Sequence, residues 1–176
     1  MILVTVGTQF FDELVIEADR LAGAGAFGEG AFAQIGLSKY QPRHMEFTAF
    51  DRDLIARARE ASLIITHAGT GCVCEMIEVG RPFIAVVNDT KAGNHQLEFL
   101  REMSTRYDFC WISSPGEMEA ALRDARPARQ LGEPGIDRLA DDLRAWLTSA
   151  CYNPAAKNRS RAEWTSPLTY KRTPAC

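Results

Sequence analysis

No uninterrupted apolar run in this chain of 176 residues approaches the roughly 18–20 residues that cross a bilayer, so no transmembrane segment is expected. Met1-Ile2-Leu3 leads straight into a strand-like run, so no signal peptide is expected. Cysteine is scarce and odd in number: Cys72, Cys74, Cys110, Cys151 and Cys176. Cys72-x-Cys74 has no second pair to complete a zinc site, and the five do not suggest a disulfide framework. A reducing, cytosolic setting fits that usage. Basic residues do not dominate either, with 20 Lys/Arg against 23 Asp/Glu and a net charge of −3. No long basic stripe marks a nucleic-acid surface.

What is present is the composition of one ordinary domain, 46% apolar and 24% charged. The charge is unevenly spread. Residues 151–176 hold Lys157, Arg159, Arg161, Lys171 and Arg172 against Glu163 alone, which leaves 15 basic and 22 acidic residues in 1–150. Beyond Ser149 the chain turns polar, with Pro154, Pro167 and Pro174 spaced through it. The division expected is a folded domain over 1–150 and a basic polar tail over 151–176.

Short apolar runs alternate with helix-period segments through the first 150 residues. Ile2–Val6, Phe32–Ile35, Glu46–Phe50, Leu63–Thr66, Phe83–Val87 and Phe109–Ile112 read as six strands. Between them, Phe11, Leu14, Val15, Ala18, Leu21 and Ala22 make one helical face. Further helices are expected from Asp51, as N-cap, through Glu60, from about Cys72 to Val79, from Asn94 to Arg106, from Pro115 to Asp124, and near Gly135–Leu147. Leu97, Leu100, Met103 and Tyr107 fall on one side of the segment that starts at Asn94. Gly80 and Pro82 stop the Cys72–Val79 helix. Strands alternating with helices imply parallel pairing with right-handed crossovers, a doubly wound Rossmann-like α/β sheet. Ligands of such sheets sit beyond the carboxyl ends of the strands.

Two glycine clusters compete for a phosphate. Gly23-Ala24-Gly25-Ala26-Phe27-Gly28 matches G-x-G-x-x-G, but it follows a helix and precedes a strand, the reverse of a dinucleotide site. It reads as a connection. Thr66-His67-Ala68-Gly69-Thr70-Gly71 follows a strand and opens into a helix. That order presents unpaired backbone N–H groups and the positive helix end to an anion. Gly69 and Gly71 allow close approach of a phosphate, with Thr70 between them. Glu75, one helical turn inside, can accept both hydroxyls of a ribose. Gly7 and Thr8 form a small turn at the end of the first strand and belong to the same rim. Asn94, His95 and Gln96 start a helix after the fifth strand, placed to bond sugar hydroxyls and a diphosphate. Asp51-Arg52-Asp53 spells D-x-D, a metal signature elsewhere, but its place at a helix start points to capping.

Val4-Thr5-Val6-Gly7-Thr8, Gln34-Ile35-Gly36-x-Ser38-x-Tyr40-x-Pro42, Ile65-Thr66-His67-Ala68-Gly69-x-Gly71 and Val87-Asn88…Asn94-His95-Gln96-Leu97-Glu98 occur in one order and spacing. Together, over roughly residues 1–125, they resemble the carboxyl-terminal domain of glycosyltransferase family 28, most of all its stand-alone subunits. The resemblance implies one Rossmann-like half of a GT-B enzyme that holds the UDP part of a nucleotide sugar. It matches Glu75 to the ribose, Gly69–Gly71 to the diphosphate, and His95 and Gln96 to the sugar. Backbone around Phe47–Phe50 matches the uracil position.

One half of this size cannot enclose the acceptor or exclude water from the reacting carbon. The resemblance implies, as the partner, a membrane-anchored acceptor-binding subunit with its own Rossmann-like fold. It would present a lipid-diphosphate-linked saccharide at the inner face of the membrane. The resemblance puts the general base on that partner, and His67 sits where a histidine bonds backbone. No cofactor and no essential metal are expected, and inversion at the anomeric carbon is implied by the resemblance. Lys91 is the one cue to the sugar: a cation there can pair with the carboxylate of a glucuronate. The competing reading is a non-catalytic, nucleotide-binding regulatory subunit of a polysaccharide assembly complex.

Overall fold

Strand-length apolar runs of this kind bury both faces when helices cover the two sides of a parallel sheet. The computed structural model describes residues 1–88 and 95–131, all within the compact unit Met1–Glu133. The helix expected near Gly135–Leu147 and the tail over 151–176 lie outside the described residues.

The elements are β1 (Ile2–Thr5), α1 (Asp12–Gly23), β2 (Ala31–Gln34), β3 (Glu46–Thr48), α2 (Leu54–Glu60), β4 (Leu63–His67), α3 (Thr70–Val79), β5 (Phe83–Val86), α4 (His95–Ser104), β6 (Tyr107–Asp108), β7 (Cys110–Ile112), α5 (Met118–Ala121) and β8 (Arg129–Gln130). Six strands form one sheet in the order β3-β2-β1-β4-β5-β7, with every adjacent pair parallel. This is the doubly wound order, and its direction reverses between β1 and β4.

The period of two along the strands divides the core. Ile2, Val4, Ile65, Ile84 and Val86 face one side, where α1 contributes Leu14, Val15, Ala18 and Leu21 and α5 contributes Met118. Leu3, Ile64, Phe83 and Ala85 face the other, against Ala58 of α2, Val73 and Met76 of α3 and Leu100 of α4. Each such side chain, fully buried, contributes about 1.5–3 kcal/mol relative to exposure.

The long connection from β2 to β3 is pinned to α1 by two carboxylates. Asp12 Oδ1 accepts the N–H groups of Lys39 and Tyr40 at 2.8 and 3.1 Å. Asp19 is 1% exposed and accepts from the Tyr40 hydroxyl at 2.8 Å and from the N–H groups of Arg43 and His44. Gly23-Ala24-Gly25-Ala26-Phe27-Gly28 connects the end of α1 towards β2, at the amino-terminal edge of the sheet, away from the strand ends that hold ligands.

Several boundaries differ from the sequence reading. Asp51 does not cap α2, which starts three residues later with Asp53 at the N-cap position and no side-chain cap. Asp51 instead accepts the Asp53 N–H at 2.9 Å and pairs with Arg57 Nε at 2.7 Å. Those hydrogen bonds, the Arg57 one foremost, hold its carboxyl below the usual range. Tyr107 is not part of α4; it pairs antiparallel with Gln130 in a two-stranded ladder. The helix expected over 115–124 is a 3₁₀ turn, Pro115–Glu117, followed by the single turn of α5.

Candidate functional site

A cleft of about 390 Å³ opens where the strand order reverses, at the carboxyl ends of β1 and β4. Gly7, Thr8 and Gln9 line it from the turn after β1, and Gln34 from the end of β2. Leu54 lines it from α2, and His67, Gly69, Thr70, Gly71, Cys72 and Glu75 from β4 and the first turns of α3. Seven residues singled out from sequence (Gly7, Thr8, His67, Gly69, Thr70, Gly71 and Glu75) are thus brought to one place.

α3 begins at Thr70 with Gly69 as its N-cap; His67 takes the Gly69 N–H, and no side chain caps the N–H groups that follow. Unpaired N–H groups at a helix start, aimed along the axis, favour an anion in the cleft. Glu75 is exposed on the same helix one turn further in, so its carboxylate lies beside the anion position without sharing it.

His67 is the packing centre of the site, 3% exposed. Its Nδ1 accepts the Gly69 N–H at 3.0 Å, so the ring proton sits on Nε2, which faces Cys72 Sγ at 3.1 Å. A Cβ on Gly69 would collide with the ring, and one on Gly7 would come within 2.9 Å of Nε2. Gly7 also has φ +61°, a conformation that favours glycine. Gly69 therefore lacks a side chain because of His67, whereas around Gly71 there is open space. Burial, and then the Glu75 charge, push the Cys72 thiol above its ordinary range, so it stays protonated at neutral pH.

His95 and Gln96 open α4 one strand away and are not among the described residues lining this cleft. Gln96 Oε1 accepts the Asn88 N–H at 2.8 Å, and Asn88 Nδ2 donates to the Phe10 carbonyl at 3.1 Å. These bonds tie the exits of β1 and β5 to the start of α4. Lys91 and Asn94 lie outside the described residues. Among the described residues, no group of three or more His, Cys, Asp or Glu is placed to hold a metal ion.

Gln9, Gln34, Leu54 and Cys72 line the cleft but were not picked out as site residues. Gln34 had a readable signal: a glutamine closing an otherwise apolar strand, Ala31-Phe32-Ala33. Leu54 had none, since an exposed first turn and a cleft wall look alike in sequence.

The model of the glycosyltransferase family 28 C-terminal domain matches residues 1–112. The human UDP-N-acetylglucosamine transferase subunit ALG13 is 32% identical over 113 residues, 58% of this chain and 10% of that protein. An N-acetylglucosamine transferase of Phenylobacterium zucineum, named for a pentapeptide pyrophosphoryl-undecaprenol acceptor, is 31% identical over 115 residues, 54% of this chain and 31% of that protein. The chain thus matches less than a third of the length of either relative. Among solved structures, a kitacinnamycin glycotransferase superposes with a TM-score of 0.52 at 17% identity, over 84% of this chain and 39% of that one. That likeness concerns the fold: one Rossmann-like half within a longer glycosyltransferase. The strand order, the turn-to-helix cleft and the family match converge, and the chain belongs to the glycosyltransferase family 28 C-terminal domain family.

Proposed function

We propose that this chain is the donor-binding catalytic subunit of a two-subunit, inverting UDP-sugar glycosyltransferase. One observation carries the reading: the reversal point of the sheet holds a glycine turn, an uncapped helix start and a carboxylate one turn on, all lining one cleft. In this reading the diphosphate sits at the Gly69–Gly71 turn, against the N–H groups of Thr70 and Gly71, with Thr8 beside it. Glu75 accepts the ribose hydroxyls, and the uracil lies towards Phe47–Phe50. Asn94, His95 and Gln96 stand on the sugar side. As the glycosidic bond to the diphosphate breaks, negative charge grows on the leaving oxygen, and the helix start stabilises it without a metal.

The cleft is open, and with Glu75 given to the ribose, none of the described residues lining it is arranged to take a proton from an acceptor hydroxyl. His67 is held by Gly69 and faces Cys72. The general base and the acceptor site therefore belong to a second, membrane-anchored, Rossmann-like subunit, in keeping with the word "subunit" in the human relative's name. No helix among the described residues is long and apolar enough to cross a membrane. Attachment through the partner, at the inner face of the cell membrane, follows from the same reading.

The acceptor in this reading is a lipid-diphosphate-linked saccharide, the chemistry in the bacterial relative's name; bacterial exopolysaccharide synthesis is the setting proposed from the resemblance to stand-alone subunits. Both relatives are named for N-acetylglucosamine transfer. Lys91 makes UDP-glucuronate the rival donor. Co-expression with the acceptor-binding subunit, followed by membrane assays with a panel of UDP sugars, tests the proposal. Transfer from one UDP sugar that requires both subunits is the expected result. Turnover by the purified chain alone, or nucleotide binding with no transfer in the assembled complex, contradicts it.

A further inference from the structure

The buried side chain of Gln34, at the edge of the cleft, bonds both the turn after β1 that lines it and the segment leaving β3. Its Nε2 donates to the Gly7 carbonyl at 3.1 Å and lies 3.5 Å from Thr5 Oγ1. Its Oε1 accepts the Asp51 N–H at 2.8 Å. The amide orientation is fixed by chemistry, because Gly7 offers only a carbonyl and Asp51 only an N–H. Gln34 is 5% exposed, so neither partner has ready access to water as a substitute.

The first of these contacts belongs to a larger clamp. Thr5 Oγ1 accepts the Gly7 N–H at 3.0 Å. Gly36, with φ +56°, packs so closely that a Cβ would lie 2.6 Å from the Gln9 carbonyl oxygen and 2.8 Å from that of Gly7. The Leu37 N–H donates to the Gln9 carbonyl at 3.0 Å. The end of β2 thus sets where the turn Gly7-Thr8-Gln9 stands. The second contact holds the segment leaving β3, where the Gly36 N–H also bonds the Ala49 carbonyl at 3.0 Å.

We propose that Gln34 is a positioning residue that couples the cleft turn beside the diphosphate to the Phe50–Asp51 segment, which the donor reading puts beside the base. The inference rests on the donor reading above. Gln34 touches no reacting atom. It fixes the spacing between two subsites that one UDP molecule must fill together, and only a side chain with a donor and an acceptor at this reach does so. Leucine supplies neither group. Glutamate accepts from Asp51 in either form, but donates to Gly7 only when protonated.

The test is calorimetric titration of the full-length chain with UDP, for the wild type, Gln34→Glu and Gln34→Leu, from about pH 8 down to about pH 5, where a buried carboxyl takes up its proton. Other titrating groups line the same cleft or flank it: His67, Cys72 and Glu75 on the β4–α3 side, and Asp51 with Arg57 on the α2 side. They are common to all three proteins, so the ratio of wild-type to variant affinity is read at each pH.

At the alkaline end, Gln34→Glu is expected to bind UDP about tenfold more weakly than the wild type, as for one lost buried hydrogen bond. The ratio should close towards one as the pH falls. Gln34→Leu should stay weak throughout while its melting shows that it folds. A Gln34→Glu ratio of one at every pH, or a constant deficit that acid does not repair, overturns the proposal. If Gln34→Glu does not fold at alkaline pH, Gln34→Leu decides: wild-type affinity in that variant is the overturning result. A wild-type chain that binds no UDP overturns the donor reading and this one with it, whereas normal wild-type binding with unaffected variants overturns this one alone.

Discussion

Asp19 gathers three hydrogen bonds on one buried carboxylate, and none of them serves the cleft. Burial works against its charge, but the N–H groups of Arg43 and His44 and the Tyr40 hydroxyl outweigh it and hold the carboxyl below its ordinary range. A carboxyl lowered in the folded state stabilises the protein above its unfolded pKa of about 3.9, and that stability is lost as the pH falls through the lower folded value. Asp19→Asn, which turns one acceptor into a donor facing donors, should cost about 1–3 kcal/mol at neutral pH and flatten the acid limb of stability. Urea unfolding at several pH values measures both effects. Glu75 is the opposite kind of residue, exposed and packed on nothing that the fold needs. Glu75→Ala should leave the urea midpoint unchanged and remove donor use in the assembled complex, and full activity in that variant would take Glu75 out of the site. In sequence, Glu75 was legible because helix spacing alone puts it one turn past Gly71. Asp19 was not, because a polar residue on an amphipathic helix looks solvent-facing until the Tyr40–His44 loop lies on it.

The strand–turn–helix unit β4–α3 shows what an element adds to its residues. Gly69 and Gly71 look alike in sequence, two residues apart in one motif, yet the fold separates them. Gly69 is pressed against the His67 ring, and Gly71 meets nothing within 4 Å. Gly69→Ala should therefore lower stability by about 1–3 kcal/mol, the range for overpacking. Gly71→Ala should leave Tm near wild type and weaken UDP binding alone, since any clash there is with the ligand. Thermal melts paired with UDP titration separate the two; a Gly71→Ala variant that binds UDP normally removes Gly71 from the diphosphate subsite. Alternating apolar runs made the sheet elements readable, because burial on both faces leaves little freedom in composition. The ends of elements were harder. Asp51 looked like a cap, but Arg57, one turn into α2, competes for its carboxylate and the helix starts beyond it. Tyr107 continued a helical stripe, but its backbone pairs with Gln130, a partner 23 residues away that no local pattern announces.

At the scale of the whole molecule, the doubly wound order brings the carboxyl ends of all six parallel strands to one end of the sheet and leaves the reversal between β1 and β4 as the natural place for a ligand. That much follows from strand–helix alternation, and the motif order over residues 1–125 points to the same family that the comparisons show. What a lone sequence does not carry is how separate strand ends meet. Gln34, Leu54 and Cys72 reach the cleft only because β2, α2 and α3 converge there. In the proposed function, a cradle open on one side holds the donor, and a second polypeptide is what shields the reaction from water. The most direct test is amide chemical-shift mapping of the full-length chain with UDP. The expected result is a set of shifts centred on Gly7, Thr8, Gly69, Thr70, Gly71 and Glu75, saturable and absent in Glu75→Ala. Saturable shifts centred instead on the opposite edge, around Gly30 and Glu46, or no response to UDP at any concentration, would contradict it.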